Sequence, residues 1–387
     1  MIDQVLAATQ SALKKQMYSD LIDDEKEFFR TLKENGLAGL VLPYIDEKKV
    51  SATFNKFSTQ VLYEYVTRDE AQQALITKLN DLLNKHDINH IFLKGTKLKT
   101  LYEKTFMRGM GDIDILVNLE DIRKIEKIFG DNHILIMSRS PQHDVYQTEK
   151  GLLIEIHPSI YYQFNLKYTL FEKPWDYAKH VANHTYEFTP EFELLFIAYH
   201  LAKHFESSGV GLRSILDVGI YVQAYQDSID EKLLVQYLDQ MEMKTFFYHM
   251  LYLNKKYFDI DSTFLPPSMH IEENVLSDIT QYIAASGVHG KGEKFNEMAP
   301  RLVNTKNKKK SKWNVIISSA FPKYKDMKVM YPVIQKCFLL LPIFYVVRVY
   351  DLTIKRGRSS RMKIKKLNVG QQEKQHIIQI FETLGLK

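Results

Sequence analysis

The chain has 387 residues, 45% of them hydrophobic and 26% charged. That balance excludes a disordered chain, a collagen-like fibre and a multi-span membrane protein, and the length predicts two or three domains. The net charge of +5 is uneven: residues 301–387 hold 20 Lys+Arg against 4 Asp+Glu, while residues 1–300 hold 32 against 43. An acidic body with a basic C-terminal segment predicts that this segment meets something anionic.

One cysteine, Cys337, leaves no internal disulfide partner. The opening Met1-Ile2-Asp3-Gln4 lacks the basic stretch and apolar run of a secretory leader, so a cytoplasmic protein is expected. Residues 1–88 read as a helical segment. Phe28, Phe29 and Leu32 recur at helical spacing within Asp23 to Lys33, and Asn35-Gly36 closes that helix. Ser58 to Lys85 repeats the pattern.

From His86-Asp87 the texture changes. Ile88 to Leu93 predicts a strand that ends at Lys94-Gly95-Thr96, and a helix is expected over Lys97 to Tyr102. Asp112 to Val117 alternates like a strand, and Leu119 to Phe129 reads as a helix. Three more strands are expected at His133 to Met137, Asp144 to Gln147 and Leu152 to His157, with Gly151 as a hairpin signal. Glu191 to Phe205 and Leu212 to Tyr225 are helical in pattern. Residues 265–312, with Pro266-Pro267, several glycines and Lys306 to Lys312, read as loop-rich.

Three features carry chemistry. Asp112 and Asp114, at i and i+2 of a strand, project from one face, with Ile113 and Ile115 facing the other way. Two adjacent carboxylates repel each other, and a divalent cation removes that cost. Hard oxygen ligands suit Mg²⁺, with Mn²⁺ the alternative. Glu155, flanked by Ile154 and Ile156, would bring a third carboxylate from a neighbouring strand and complete a two-metal site. Gly95 permits close backbone approach ahead of a helix N-terminus that suits a triphosphate, and the Thr96 hydroxyl adds a hydrogen bond. Arg108, four residues before Asp112, could reach a phosphate bidentately.

Leu93-Lys94-Gly95, then Arg108-x-x-x-Asp112-Ile-Asp114-Ile-Leu-Val, then Glu155-Ile-His157 resembles the nucleotidyltransferases of the DNA polymerase beta superfamily. Within it the pattern is most similar to the bacterial nucleotidyltransferase family 5. Tyr199 to His204 and Leu212 to Asp217 extend the likeness, which covers roughly residues 55–225. The pattern along the chain predicts an α+β fold: a small mixed β-sheet core over 89–170, which the resemblance makes the nucleotidyltransferase core, a helical domain over 171–300 walling the nucleotide cleft, and the flanking segments 1–88 and 301–387. The resemblance implies Asp112, Asp114 and Glu155 as metal ligands and catalytic carboxylates, and Gly95-Thr96 as the phosphate-binding turn. Gly-Thr stands where Gly-Ser or Gly-Gly is usual, and Glu155 where Asp is frequent. The implied reaction moves a nucleoside monophosphate from an NTP to an acceptor with release of pyrophosphate. A non-catalytic nucleotide-binding scaffold on the same fold is the alternative.

Several residues keep two readings. Lys94 is a phosphate contact or an exposed strand-end lysine. His157, on the Glu155 face, orients a carboxylate or is structural. His200 and His204 have the i,i+4 spacing of a zinc pair without a third ligand in sequence, so a helix face near the cleft is expected. Arg213 pairs with Asp217 at i,i+4 or reaches nucleotide phosphates. The apolar run Cys337 to Val347 is too short to span a bilayer, for which about 20 residues are needed. It reads first as a buried helix with an inert, buried Cys337. Clustered cations follow it at Arg348, Lys355, Arg356, Arg358, Arg361, Lys363, Lys365 and Lys366, so peripheral contact with an anionic inner membrane face, near a lipid-linked or surface-polymer acceptor, is the second reading. RNA is the third.

Overall fold

The computed structural model describes residues 1–386 except 141, 161–168, 291, 294, 304–315, 319, 332, 356–363 and 365. Lys306 to Lys312 and the cations Arg356, Arg358, Arg361, Lys363 and Lys365 therefore lie outside the described residues.

Local chemistry sets the helix boundaries. Asp24 caps Glu25–Glu34 by accepting the Glu27 N–H, and Gly36 at φ +71° turns the chain out of that helix. Ser51 accepts the Phe54 N–H and opens a 34-residue helix, Ala52–Lys85, which begins six residues before the apolar periodicity is evident. Thr189 caps Pro190–Ser207 through the Phe192 N–H, with proline at the first position.

Seven strands form one mixed sheet: β1 (His90–Phe92), β2 (Asp112–Val117), β3 (Leu135–Arg139), β4 (Asp144–Gln147), β5 (Leu153–His157), β6 (Ala178–Ala182) and β7 (Thr185–Phe188). Their order is β3-β4-β5-β2-β1-β7-β6. β2 pairs parallel with β5 and antiparallel with β1, and β7 joins β1 in parallel. The sheet thus draws two strands from beyond residue 170. Their sequence, Ala178 to Phe188, is short, exposes Val181 and Ala182 beside Lys179 and His180, and carries no clear alternation.

Alternation decides what each sheet face meets. Ile113, Ile115, Val117, Ile154 and Ile156 point into a core built with Leu75, Leu79 and Leu83 of the long helix and with Ile125, Ile128 and Phe129 of the Ile122–Asp131 helix. On the opposite face, Ile91, Leu93 and Leu116 join a larger core. That core includes the helices Pro190–Ser207, Leu212–Tyr225, Lys244–Phe258 and Gln371–Thr383. The fold is α+β, with helices on both faces of a mixed sheet.

Three expectations need correction. Residues 265–312 contain the helix Glu273–Ser286, which buries Leu276, Ile279 and Ile283 between the prolines and Gly287. The helix expected from Lys97 starts at Gly95, runs to Leu98 and tightens into a 3₁₀ turn over Lys99–Leu101. Cys337 is exposed, and the apolar run it begins forms a 3₁₀ turn and a helix that buries none of its residues fully and leaves Ile343, Val346, Val347 and Tyr350 exposed.

Candidate functional site

β2 and β5 lie parallel with Asp114 beside Glu155 and Asp112 beside Leu153. Strand alternation puts Asp112, Asp114, Glu155 and His157 on one face, under the Pro190–Ser207 helix. The loop before β2 is pinned by its carbonyls. Arg68 donates to Met110 O (3.3 Å) and Gly111 O (2.9 Å), Gln72 to Met110 O (3.0 Å) and Arg213 to Gly109 O (2.7 Å). Those bonds fix where Asp112 enters the strand.

Asp114 is the hub. Lys94 Nζ donates to its Oδ1 at 3.0 Å, and His157 Nε2 lies 2.8 Å from the same oxygen. His157 Nε2 is also 3.4 Å from Glu155 Oε2, and His143 Nε2 is 3.5 Å from Glu155 Oε1. The His143 and His157 rings sit 5.0 Å apart. Lys94 leaves β1 with φ +46° and ψ −107°, a conformation that costs a side-chain-bearing residue about 1–3 kcal/mol. That twist delivers its ammonium to Asp114.

The carboxylates titrate unequally. Burial, then Asp114 and Glu155, push Asp112 up to about 6. Burial also raises Asp114, but Lys94 and His157 outweigh it and hold the carboxyl well below its usual range. Glu155 is likewise lowered, because His157 and His143 overcome burial and Asp114. His157 is raised: burial opposes the proton, but Asp114 and Glu155 win. The fold gathers more negative charge here than Lys94 and His157 neutralise, and Asp112 carries the excess. That donor set fits a divalent cation. A second set overlaps it at Glu155: ligand atoms of His143, Glu155 and His157 lie within 4.8 Å of one another, a combination that also suits transition metals.

Two cavities meet at Lys94, Asp112, Asp114, His200 and His204. The smaller, of about 90 Å³, is lined by Gly95, Arg108, Met110 and Arg213. The larger, of about 320 Å³, is lined by His143, Glu155, His157, Phe196, Tyr199 and Lys203. Gly95 stands where a Cβ would come within 2.7 Å of Arg108 Nη1 and 2.8 Å of Met110 Sδ, so any larger residue must displace one of these side chains. Lys203 is pushed down to about 7 by burial and by Lys94.

The remaining expected residues are distributed as follows. Arg108 lines the small cavity, but its guanidinium is held by Asp217, Nε to Oδ1 at 3.2 Å and Nη2 to Oδ2 at 2.9 Å. Tyr102 donates to the same Oδ1 at 2.9 Å. Asp217 is therefore the partner of Arg108, not of Arg213, whose Nη1 donates to Gly109 O instead. The Arg108 fork matches the carboxylate on both oxygens, and that geometry outcompetes an i,i+4 contact. Thr96 places its hydroxyl 3.8 Å from Met110 Sδ, outside the lining of both cavities. His200 and His204 face each other with Nε2 atoms 3.2 Å apart.

His143 and Lys203 were missed in the sequence. Lys203 shares a helix face with His200 and His204 by i, i+3, i+4 spacing, a usable signal. His143 had none: antiparallel pairing of β4 with β5, Val145 beside Glu155, brings it opposite His157.

A family model described as an uncharacterised nucleotidyltransferase matches residues 23–259, more than half of the chain and all of the cleft. A search of curated proteins found no match. The chain belongs to this nucleotidyltransferase family, and it is a transferase.

Proposed function

We propose that the enzyme moves a nucleoside monophosphate from an NTP to an acceptor hydroxyl or phosphate, releasing pyrophosphate, with divalent cations of the Mg²⁺ class held by Asp112, Asp114 and Glu155. The observation that carries this reading is the register of β2 and β5, which sets three carboxylates on one face between two cavities. The likeness of the Asp-Ile-Asp strand to bacterial members of the polymerase beta superfamily supports it.

Bound cations would neutralise phosphate oxygens and steady the departing pyrophosphate. The protein's own groups do the rest. The small cavity takes the triphosphate: Gly95 lets phosphate oxygens approach the backbone, and Arg108 and Arg213 supply fixed positive charge. Because Asp217 already orients Arg108, its guanidinium needs no reorganisation when the nucleotide arrives. Lys94, on Asp114, reaches both cavities and balances charge between them. The large cavity takes the acceptor. Glu155 is ionised at neutral pH and His143, lowered by burial, is neutral. Either can take the proton as the acceptor oxygen bonds to the α-phosphorus and the bond to the β-phosphate oxygen breaks. Catalysis is mostly positioning and charge placement.

The test is incubation with ATP, GTP, CTP and UTP, Mg²⁺ and a panel of hydroxyl and phosphate acceptors, following pyrophosphate. Release that falls about 10²-fold or more in Asp114→Asn, with melting unchanged, is expected. Nucleotide binding without turnover on any acceptor would favour the scaffold alternative.

A further inference from the structure

Large apolar side chains are exposed mainly in one region. Of the twenty-one that are exposed among the described residues, twelve lie between Ile317 and Ile364. Soluble surfaces rarely concentrate apolar area in this way without a partner.

The helix Leu341–Tyr350 shows how the patch is organised. One side is anchored to the chain just before it. Phe344 packs on Tyr331 with ring centroids 4.6 Å apart, the Tyr345 hydroxyl donates to Pro322 O at 2.7 Å, and Arg348 lies 3.2 Å from Met330 Sδ. The other side carries Leu339, Ile343, Val346, Tyr350 and Ile354, each between 53% and 71% exposed. Their spacing of four, three, four and four residues is that of one helix face. The stripe runs from the 3₁₀ turn before the helix into the turn after it. The anchored positions fall on the opposite side by the same geometry.

Charge selects the occupant. Residues 317–366 contain twelve Lys and Arg against two Asp, a net charge of +10. Eight of these cations, Lys325, Lys336, Lys355 and the five from Arg356 to Lys365, contribute here by sequence alone. No helix among the described residues is long and apolar enough to cross a membrane. We propose that the Leu339–Ile354 stripe docks at the surface of an anionic lipid bilayer, its apolar side chains entering the headgroup boundary and the cations that flank it in sequence meeting acidic headgroups. A second copy of this chain would bring +10 against +10 and fits the charge poorly. RNA would satisfy the cations but leave the apolar stripe in water.

The test uses the full chain in co-sedimentation with vesicles of phosphatidylcholine alone and of phosphatidylcholine mixed with phosphatidylglycerol, at low and high salt. Binding to the anionic vesicles that weakens with salt is expected, as is a drop of about tenfold or more in Leu339→Glu/Val346→Glu. Both positions are exposed, so circular dichroism and nucleotide affinity should match the parent protein. Failure to bind anionic vesicles, equal binding to neutral ones, or undiminished binding by the double variant overturns the proposal. Self-association or RNA binding that the double variant abolishes, without vesicle binding, overturns it in favour of that partner.

Discussion

Replacing Asp217 by Ala removes the carboxylate from a pair buried on both sides: the Arg108 and Asp217 side chains are 8% and 6% exposed. The variant leaves the guanidinium without its two hydrogen bonds and the Tyr102 hydroxyl without its acceptor. An uncompensated buried charge costs about 3–5 kcal/mol. The hydroxyl adds to that less than its separate value, because water entering the gap serves both groups. A loss of about 4 kcal/mol is expected, equivalent to about a thousandfold in the folded-to-unfolded ratio. Urea titration followed by circular dichroism measures it. The partner experiment is Arg108→Met/Asp217→Leu, which exchanges the ion pair for apolar volume. Such exchanges are often neutral, so stability should recover to within the cost of the orphaned Tyr102 hydroxyl, about 1–3 kcal/mol below the parent. Nucleotide affinity should not return, because Arg108 faces Gly95 across the small cavity. A cost below about 1 kcal/mol for Asp217→Ala would refute the account of a desolvated pair. Full nucleotide affinity in the double variant would remove Arg108 from the phosphate site.

Gly95→Ala puts a methyl group within 2.8 Å of both Arg108 Nη1 and Met110 Sδ, and Arg108 is fixed by Asp217. A destabilisation of about 1–3 kcal/mol is expected, together with a raised KM for the nucleotide and little change in kcat; an unchanged melt and KM would show that the cleft gives way freely. Glu193 is 1% exposed, and neither of its carboxylate oxygens has a hydrogen-bond partner among the described residues. Burial pushes it from 4.5 up to about 7 against the pull of Lys97, so the fold favours the neutral acid. Stability is fully present below pH 4.5 and falls as pH rises to about 7; Glu193→Gln should match the parent at low pH and exceed it above pH 7 by up to about 3 kcal/mol. Equal pH profiles of the two proteins in urea titration would contradict this. If His143 is the base, His143→Ala should lower kcat by about 10²-fold with the NTP KM unchanged; an unchanged kcat assigns the proton to Glu155, and a change confined to KM places His143 in binding.

The carboxylate face was legible because its logic is local. Asp112 and Asp114 share a face wherever a strand of that sequence forms, and the isoleucines between them demand a core on the other side. Glu155 was legible as a carboxylate in an apolar strand. That it stands beside Asp114 depends on β2 pairing with β5, which no local pattern states. Where the reading failed, a stronger non-local partner had intervened. Arg213 and Asp217 have the spacing of a helical ion pair, yet Arg108 arrives from a loop more than a hundred residues earlier with a fork that matches both oxygens. His143 has no signal in its neighbourhood and reaches the site through an antiparallel register.

The C-terminal apolar run failed for a different reason. Hydrophobic residues at helical spacing predict burial only when another surface of the same chain can cover them. Here the helix uses Phe344, Tyr345 and Arg348 to hold the preceding segment, and the face that would have gone inward stays open. The final helix, Gln371–Thr383, has the ordinary fate: Ile377, Ile380 and Phe381 are buried in the main core. Both helices stand in the same basic segment, and both are amphipathic. What distinguishes them is that Gln371–Thr383 meets the body through Tyr282 and Phe381, while the Leu339–Ile354 stripe meets nothing described and is bordered in sequence by cations. An apolar face flanked in sequence by positive charges, on a chain otherwise acidic, is the arrangement a bilayer surface rewards and water does not.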